Sequence, residues 1–284
     1  MSLNTVSGAP VLNSAQVEDS LVKPLESIAA IALCSTIVRT HGSSALRIPI
    51  TAATPTASFV AEGAEIPVTD ADLEELVLTP RKLAGLSVIT SELAQTSTPQ
   101  AADIVGAGLA KDIAKKLDMA AFGNLPAPAP PGLAALSGVK AVTAHLAGGK
   151  LTDFDWAAEA ESLSAVAGGN ITHWVASPDA ALLIATTPLG GTGGLMSAMQ
   201  PDPTLPTRRQ VLGRPLIVST AVASRTIWGI DNSRSFLAIS EDVTLESDRS
   251  VYFTSDRIAI RAKLRVSFGW PNPETVVKIT IPAA

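Results

Sequence analysis

Hydrophobic positions along this chain follow three rhythms, and each rhythm predicts a different kind of element. From Pro99 to Phe122, Ala102, Val105, Leu109, Ile113, Leu117 and Ala121 recur three to four residues apart, the period of one helix face. Lys111, Asp112, Lys115, Lys116 and Asp118 are read as lying mainly off that stripe. Thr98 and Pro99 supply a cap hydroxyl and a first-turn proline, and Gly123-Asn124 supplies a stop. With a rise of about 1.5 Å per residue, the helix is about 36 Å long and suits a backbone for other parts.

Between Val251 and Phe268 the period is two. Ile258, Ile260, Ala262, Leu264, Val266 and Phe268 share one parity, and Arg257, Arg261, Lys263 and Arg265 share the other. This predicts a strand with one buried and one basic face. The third rhythm is broken by prolines. Arg47–Val60 contains Pro49 and Pro55, and the return strand Glu74–Glu92 contains Pro80, with Leu76, Leu78, Leu86 and Val88 on one parity. Proline removes a ladder donor, so these are edge or ribbon positions. Joined through the Gly63-, Pro67- and acid-containing turn at 61–72, they predict an extended hairpin too polar to cover a core of its own. Its natural support is another molecule, and first of all a second copy of this chain.

The remaining segments predict a mixed α+β chain. Residues 1–20 are an aperiodic arm, Val22–Val38 a short helix, and Pro126–Gly132 a stiff linker. Beyond it come helices at Asp153–Ala167 and from Ser177-Pro178-Asp179 to Thr186. Short strands are expected at Thr172–Ala176, Val211–Ser219, Thr226–Ile230, Ser235–Ile239 and Val276–Ile281. The Gly- and Pro-rich stretch Leu189–Pro206, with Met196 and Met199, reads as a loop.

Composition narrows the function. Only 17% of the 284 residues are charged, which fits a surface partly covered by partners. The net charge of −5 lacks the basic surplus of a nucleic-acid binder. The basic strand face therefore has two readings, contact with nucleic acid or pairing with acidic surface on the same or a neighbouring chain, and the second is favoured. Cys34 is the single cysteine, in an apolar run that predicts burial, and forms no intrachain disulfide. No apolar run approaches the about 18–20 residues needed to span a bilayer, and Met1–Gln16 does not resemble a leader, so a soluble intracellular chain is expected.

Catalytic chemistry finds little to build on. His41, His145 and His173 are scattered without metal-ligand spacing, and no cofactor is implied. Around Gly148-Gly149-Lys150, Ala144 and Leu151 replace the glycine and hydroxyl of a phosphate loop. Glu62 and Glu65, and the group Asp70, Asp72, Glu74 and Glu75, read as a partner-facing turn because no base or nucleophile accompanies them. An α/β hydrolase or transferase acting alone is the remote alternative.

Several of these pieces, in this order, carry a family resemblance. They are Phe59-Val60-Ala61-Glu62-Gly63-Ala64, the Leu83–Leu93 strand, the long helix, and His173-Trp174-Val175-Ala176-Ser177-Pro178. Gly213-Arg214-Pro215-Leu216-Ile217-Val218 and Ile258–Phe268 followed by Pro271 complete the set. Over about residues 20–281 the chain resembles the major capsid proteins of tailed bacteriophages, whose shell fold encapsulins share. The resemblance implies an α+β fold with an N-terminal arm (1–46), an extended hairpin or E-loop (47–92), and a peripheral domain (93–132 and 241–284) with spine helix 99–122. It implies an axial domain at 133–240, whose loop with Leu189, Gly190, Gly191, Met196 and Met199 points to a capsomer axis. Phe59, Glu62, Glu65, Ile66, Arg81 and Lys82 are then expected at hairpin contacts between subunits.

Such subunits form hexamers and pentamers of an icosahedral shell around double-stranded DNA, assembled in the host cytoplasm and without a membrane. Portal, scaffolding, maturation protease or decoration proteins are partners that some members use. Some members cross-link through a hairpin lysine after the Ala-Glu-Gly-Ala motif. Here Glu65-Ile66-Pro67 stands in its place, so no such isopeptide bond is expected. An encapsulin-like compartment is the alternative reading.

Overall fold

The computed structural model describes residues 29–40, 45–53, 57–61, 63, 65, 72–92, 100–147, 150–151, 155–189, 196–197, 200–201 and 209–282. Helix α1 (Ala30–Cys34) and strand β1 (Thr36–Arg39) precede β2 (Leu46–Ala53), β3 (Asp72–Leu78), β4 (Arg81–Thr90) and the long helix α2 (Gln100–Phe122). Next come β5 (Lys140–Thr143), the short ribbon β6 (Leu146–Ala147) and β7 (Lys150–Leu151), α3 (Asp155–Val166), β8 (His173–Ala176) and α4 (Pro178–Thr186). Short strands β9 (Pro188–Leu189), β10 (Met196–Ser197), β11 (Gln200–Pro201) and β12 (Arg209–Val211) lead to β13 (Arg214–Val218) and β14 (Thr226–Ile230). The chain ends in β15 (Phe236–Tyr252), β16 (Arg257–Gly269) and β17 (Val277–Thr280).

Two sheets organise the body. One is four-stranded in the order β1-β15-β16-β4, the other seven-stranded in the order β11-β12-β13-β8-β14-β17-β5, and β2-β3 forms a separate ribbon. Helix α2 lies on the four-stranded sheet. Its Ile113, Ala114, Leu117 and Ala121 share a core with Leu237, Ala262, Leu264, Val266 and Phe268, while Val105 and Leu109 pack on Ile89, Ile258 and Ile260. The predicted alternation of β16 is thus a helix-facing stripe. Alternate residues of the seven-stranded sheet serve two cores: Trp174, Ala176 and Ile227 pack under α3 and α4, whereas Val175, Trp228 and Ile230 join the α2 core. Trp174 is fixed by an edge-on contact with Trp156 (5.8 Å between centroids) and by donating its indole N–H to Val211 O at 3.2 Å. Ser177 caps α4 as read from the sequence, its hydroxyl accepting from Ala180 N.

The structure departs from the sequence reading in five places. Within the predicted helix 22–38, the described part is the five-residue α1 followed at Thr36 by a strand parallel to β15. The β-branched Thr36, Ile37 and Val38 favour that pairing. The expected single return strand 74–92 breaks at Thr79-Pro80 into two strands in different sheets, β3 on β2 and β4 on β16. Its parity shifts there too: Leu86 and Val88 point outward, and Ile89 is buried. Strand β15 does not stop at Ile239 but runs on through polar residues to Tyr252. β17, expected with the peripheral part, lies between β14 and β5 in the seven-stranded sheet, and Phe236–Ile239, expected with the axial part, lies in the four-stranded one. Finally, Gly123 ends α2 without a left-handed turn; a Cβ there would stand 2.5 Å from Met119 O.

The Pro126–Gly132 stretch is more than a spacer, because it doubles back onto the end of α2. A Cβ on Gly132 would lie 2.1 Å from Ala120 O and 2.2 Å from Gly123 O. Gly132→Ala is therefore expected to lower unfolding stability by more than about 4 kcal/mol or to abolish folding, because neither carbonyl can move without unwinding the helix. Urea denaturation against Gly138→Ala, where the nearest side-chain atom is 3.8 Å away, separates this clash from left-handed strain.

Candidate functional site

The β2-β3 ribbon pairs from Leu46↔Leu78 to Ala53↔Asp72. Arg47 and Glu75 form an exposed ion pair across it at 3.1 Å. Beyond the ribbon, Phe59 is 109% exposed, and Val60, Ala61, Gly63 and Glu65 are also exposed. Glu62 and Ile66 lie outside the described residues. The phenyl ring of Phe59, in the segment between β2 and β3, is therefore fully exposed in the subunit. Hydrophobic surface so placed marks an interaction site.

Arg81 and Lys82, grouped with the hairpin from the sequence, sit instead at the start of β4, inside the four-stranded sheet. With Lys116 of α2 they border a groove of about 350 Å³ whose walls include Leu83, Leu117, Leu125, Pro128 and Phe268. The Pro126–Pro130 segment forms one side and the end of α2 the other. Lys116 and the proline segment had no functional reading from the sequence; only the fold brings them to Arg81.

The basic strand has a local explanation. Arg261 pairs with Glu246, Lys263 with Glu241 (3.2 Å) and Glu246 (3.1 Å), and Arg265 with Glu241 (3.2 Å). These are cross-strand contacts between β16 and β15, which favour the charged forms: Arg261 and Lys263 are shifted up and Glu246 down, chiefly by the hydrogen bonds between them. Three of the four residues therefore follow the second reading, pairing within the chain. Arg257 stands opposite Thr90 and Tyr252 at the far end.

In the Gly-rich region, Leu189 and Met196 are opposite partners in the β9-β10 ribbon, whereas Gly190, Gly191 and Met199 lie outside the described residues. Among the described residues no group of His, Cys, Asp and Glu is placed to hold a metal, and no helix is long and apolar enough to cross a membrane.

One group read from the sequence as lying mainly off the apolar stripe is buried. Asp118 is 5% exposed, one residue beyond Leu117 and so on the flank of the apolar stripe. Its carboxylate accepts N–H bonds from Ala30 and Ile31 at 3.0 Å each and a hydroxyl bond from Ser219 at 3.2 Å. It thereby ties α1, α2 and the segment after β13 together. Burial pushes its carboxyl above the ordinary range, and the three hydrogen bonds pull it back in part. The neighbouring Cys34 thiol is pushed up as well, by burial and then by the Asp118 charge, so it is an inert core residue.

Residues 10–281 match the phage capsid family. The chain belongs to that family. Solved structures agree at the level of the fold. A chain from Mycobacterium phage Adephagia superposes with a TM-score of 0.72 at 18% identity, over 90% of this chain and 91% of its own. One from Gordonia phage Cozz gives 0.71 at 15%, over 100% and 99%. The capsid of an empty GTA particle gives 0.68 at 12%, over 100% and 94%. No curated protein sequence matches the chain. This capsid protein is structural and non-enzymatic, and its place is the virion shell.

Proposed function

We propose that the chain is the major shell subunit, assembling with copies of itself as hexamers and pentamers of a closed icosahedral particle around double-stranded DNA. The observation that carries this is the fully exposed Phe59 in the segment joining β2 and β3, a ribbon separate from the two sheets of the body. In this reading α2 and the four-stranded sheet form the peripheral unit, and the seven-stranded sheet with α3 and α4 forms the axial unit. The Leu189–Met199 region then faces the capsomer axis. Neighbours are held by buried surface and interlocking hairpins, without an isopeptide bond, because Glu65-Ile66-Pro67 offers no lysine. Weak contacts suffice when each subunit is held many times over. DNA is enclosed without sequence-specific contact, consistent with a basic strand already neutralised by glutamates. Assembly in the host cytoplasm, with portal, scaffolding, protease or decoration proteins as accessories, completes the proposal.

Expression of the chain followed by sizing and electron microscopy tests it. Closed particles with hexameric and pentameric units are expected. A stable 29.2 kDa monomer at all concentrations would sink the reading. Particles from infected cells that hold protein cargo and no DNA would support the encapsulin-like alternative.

A further inference from the structure

Two recesses adjoin at the foot of the β2-β3 ribbon. The groove of about 350 Å³ beside Arg81 and a smaller one of about 200 Å³ share Arg81, Ala129, Pro130 and Phe268 in their walls. We propose that together they form a binding trough for a small amphipathic anion, a fatty carboxylate whose head meets Arg81, Lys82 and Lys116 and whose chain runs towards Trp270. The site stands beside the shell-subunit reading and does not depend on it.

The lining selects this chemistry. In the larger groove every side chain other than Arg81, Lys82 and Lys116 is apolar, and no acidic residue lines either recess. The three cations are exposed, and none is paired with an acidic group among the described residues. A ligand of charge alone would leave the apolar walls wet, and one of hydrocarbon alone would leave three cations unanswered. The larger groove falls within the about 300–1,000 Å³ usual for small-ligand sites, which are likewise mostly apolar with a few placed charges. Its proline wall is also preformed. Gly132 packs so closely that a Cβ on it would lie 2.1 Å from Ala120 O, which pins the segment against the end of α2. Within the segment, Ala129 N–H donates to Pro126 O at 3.2 Å. A wall held in this way needs little further ordering when a ligand binds.

The other recesses lack this match. One of about 500 Å³ on the four-stranded sheet sets Glu246 and Asp248 against Arg261, which is already bound to Glu246. One of about 900 Å³ between the ribbon and the body mixes Glu74 and Glu274 with Arg234 and is mainly polar. A DNA duplex would use the cations of the trough and leave its apolar walls empty. A bilayer surface does not enter a recess walled on one side by α2 and on the other by prolines. The occupant is a free, monomeric amphiphile.

Calorimetry with decanoate on the full chain tests the trough. One saturable site per chain is expected. Arg81→Gln with Lys116→Gln, both at exposed positions, removes charge-assisted hydrogen bonds; it should weaken decanoate at least about tenfold and change decanol binding less than about twofold. A brominated chain locates the tail: ω-bromodecanoate should quench tryptophan fluorescence, and Trp270→Phe should remove most of that quenching. Absence of saturable binding would overturn the proposal, as would equal weakening of decanoate and decanol, or quenching that survives Trp270→Phe. Tighter binding to phosphatidylglycerol vesicles or to a short DNA duplex, lost in the same double variant, would also overturn it by naming a different occupant. Whether the chain forms particles is decided separately, so failure of the trough leaves the shell reading standing.

Discussion

A chain whose residues 54–71 are replaced by Asn-Gly folds normally and forms no closed particles. Ala53 and Asp72 stand opposite each other in the β2-β3 register, so a two-residue turn closes the ribbon without disturbing its ladder. The described residues of the excised segment are all exposed, and none belongs to a core cluster. Loss of folding stability should therefore stay within about 0.5 kcal/mol. Assembly, by contrast, loses a contact from every subunit at once, and multivalent gain is lost with it. Sedimentation and electron microscopy of the truncated chain check this. Normal yields of closed particles would show that the hairpin is not the clamp.

Asp118→Ala is expected to act on the subunit itself. Removing the carboxylate leaves the buried N–H groups of Ala30 and Ile31 without acceptors. Each orphaned group costs about 1–3 kcal/mol, so a total loss of about 2–6 kcal/mol follows. The first sign should be proteolytic release of the segment before Thr36, because α1 loses its tie to α2. Chymotrypsin or subtilisin digestion and urea midpoints would record both effects; a midpoint equal to wild type would refute the anchor.

The same residue predicts a pH response. Its folded carboxyl titrates above the ordinary value of 3.8, so the folded chain binds that proton more tightly than the unfolded one. The resulting contribution to stability is fully present below 3.8 and is lost as pH rises through the folded value. Wild type should therefore gain stability relative to Asp118→Asn as pH falls through that window. A constant difference between the two across the range would contradict this.

What the sequence shows and what it hides divide along physical lines. Helix α2, the Ser177 cap and the stripe on β16 follow from local periodicity and hydrogen bonding, and all three are legible. β15 beyond Ile239 is not. Its residues are mostly polar, held by cross-strand ion pairs to β16, and register shifts at Ile239/Glu241, Glu241/Thr244 and Asp248/Tyr252 destroy any alternation. The break at Pro80 was visible as a proline, but only tertiary pairing reveals that it separates two sheets. Phe59 and its acidic surroundings could be singled out from the sequence, whereas the groove beside Arg81 could not. Arg81, Lys116 and Pro128 meet only because α2 ends where the proline segment turns back.

The seven-stranded sheet sets a timetable for synthesis. β5, at Lys140–Thr143, takes as its neighbour β17, at Val277–Thr280, with the remaining strands of the sheet made in between. Until residue 280 emerges from the ribosome, β5 and β14 lack the strand that joins them, and their hydrophobic faces wait open. Closure over so long a stretch of chain is slow, and it exposes unpaired edges in the meantime. The growing polypeptide therefore keeps unpaired sheet edges up to its last strand. The body is complete only when that last strand is in place: the four-stranded sheet and the ribbon come earlier in the chain, and the seven-stranded sheet closes last.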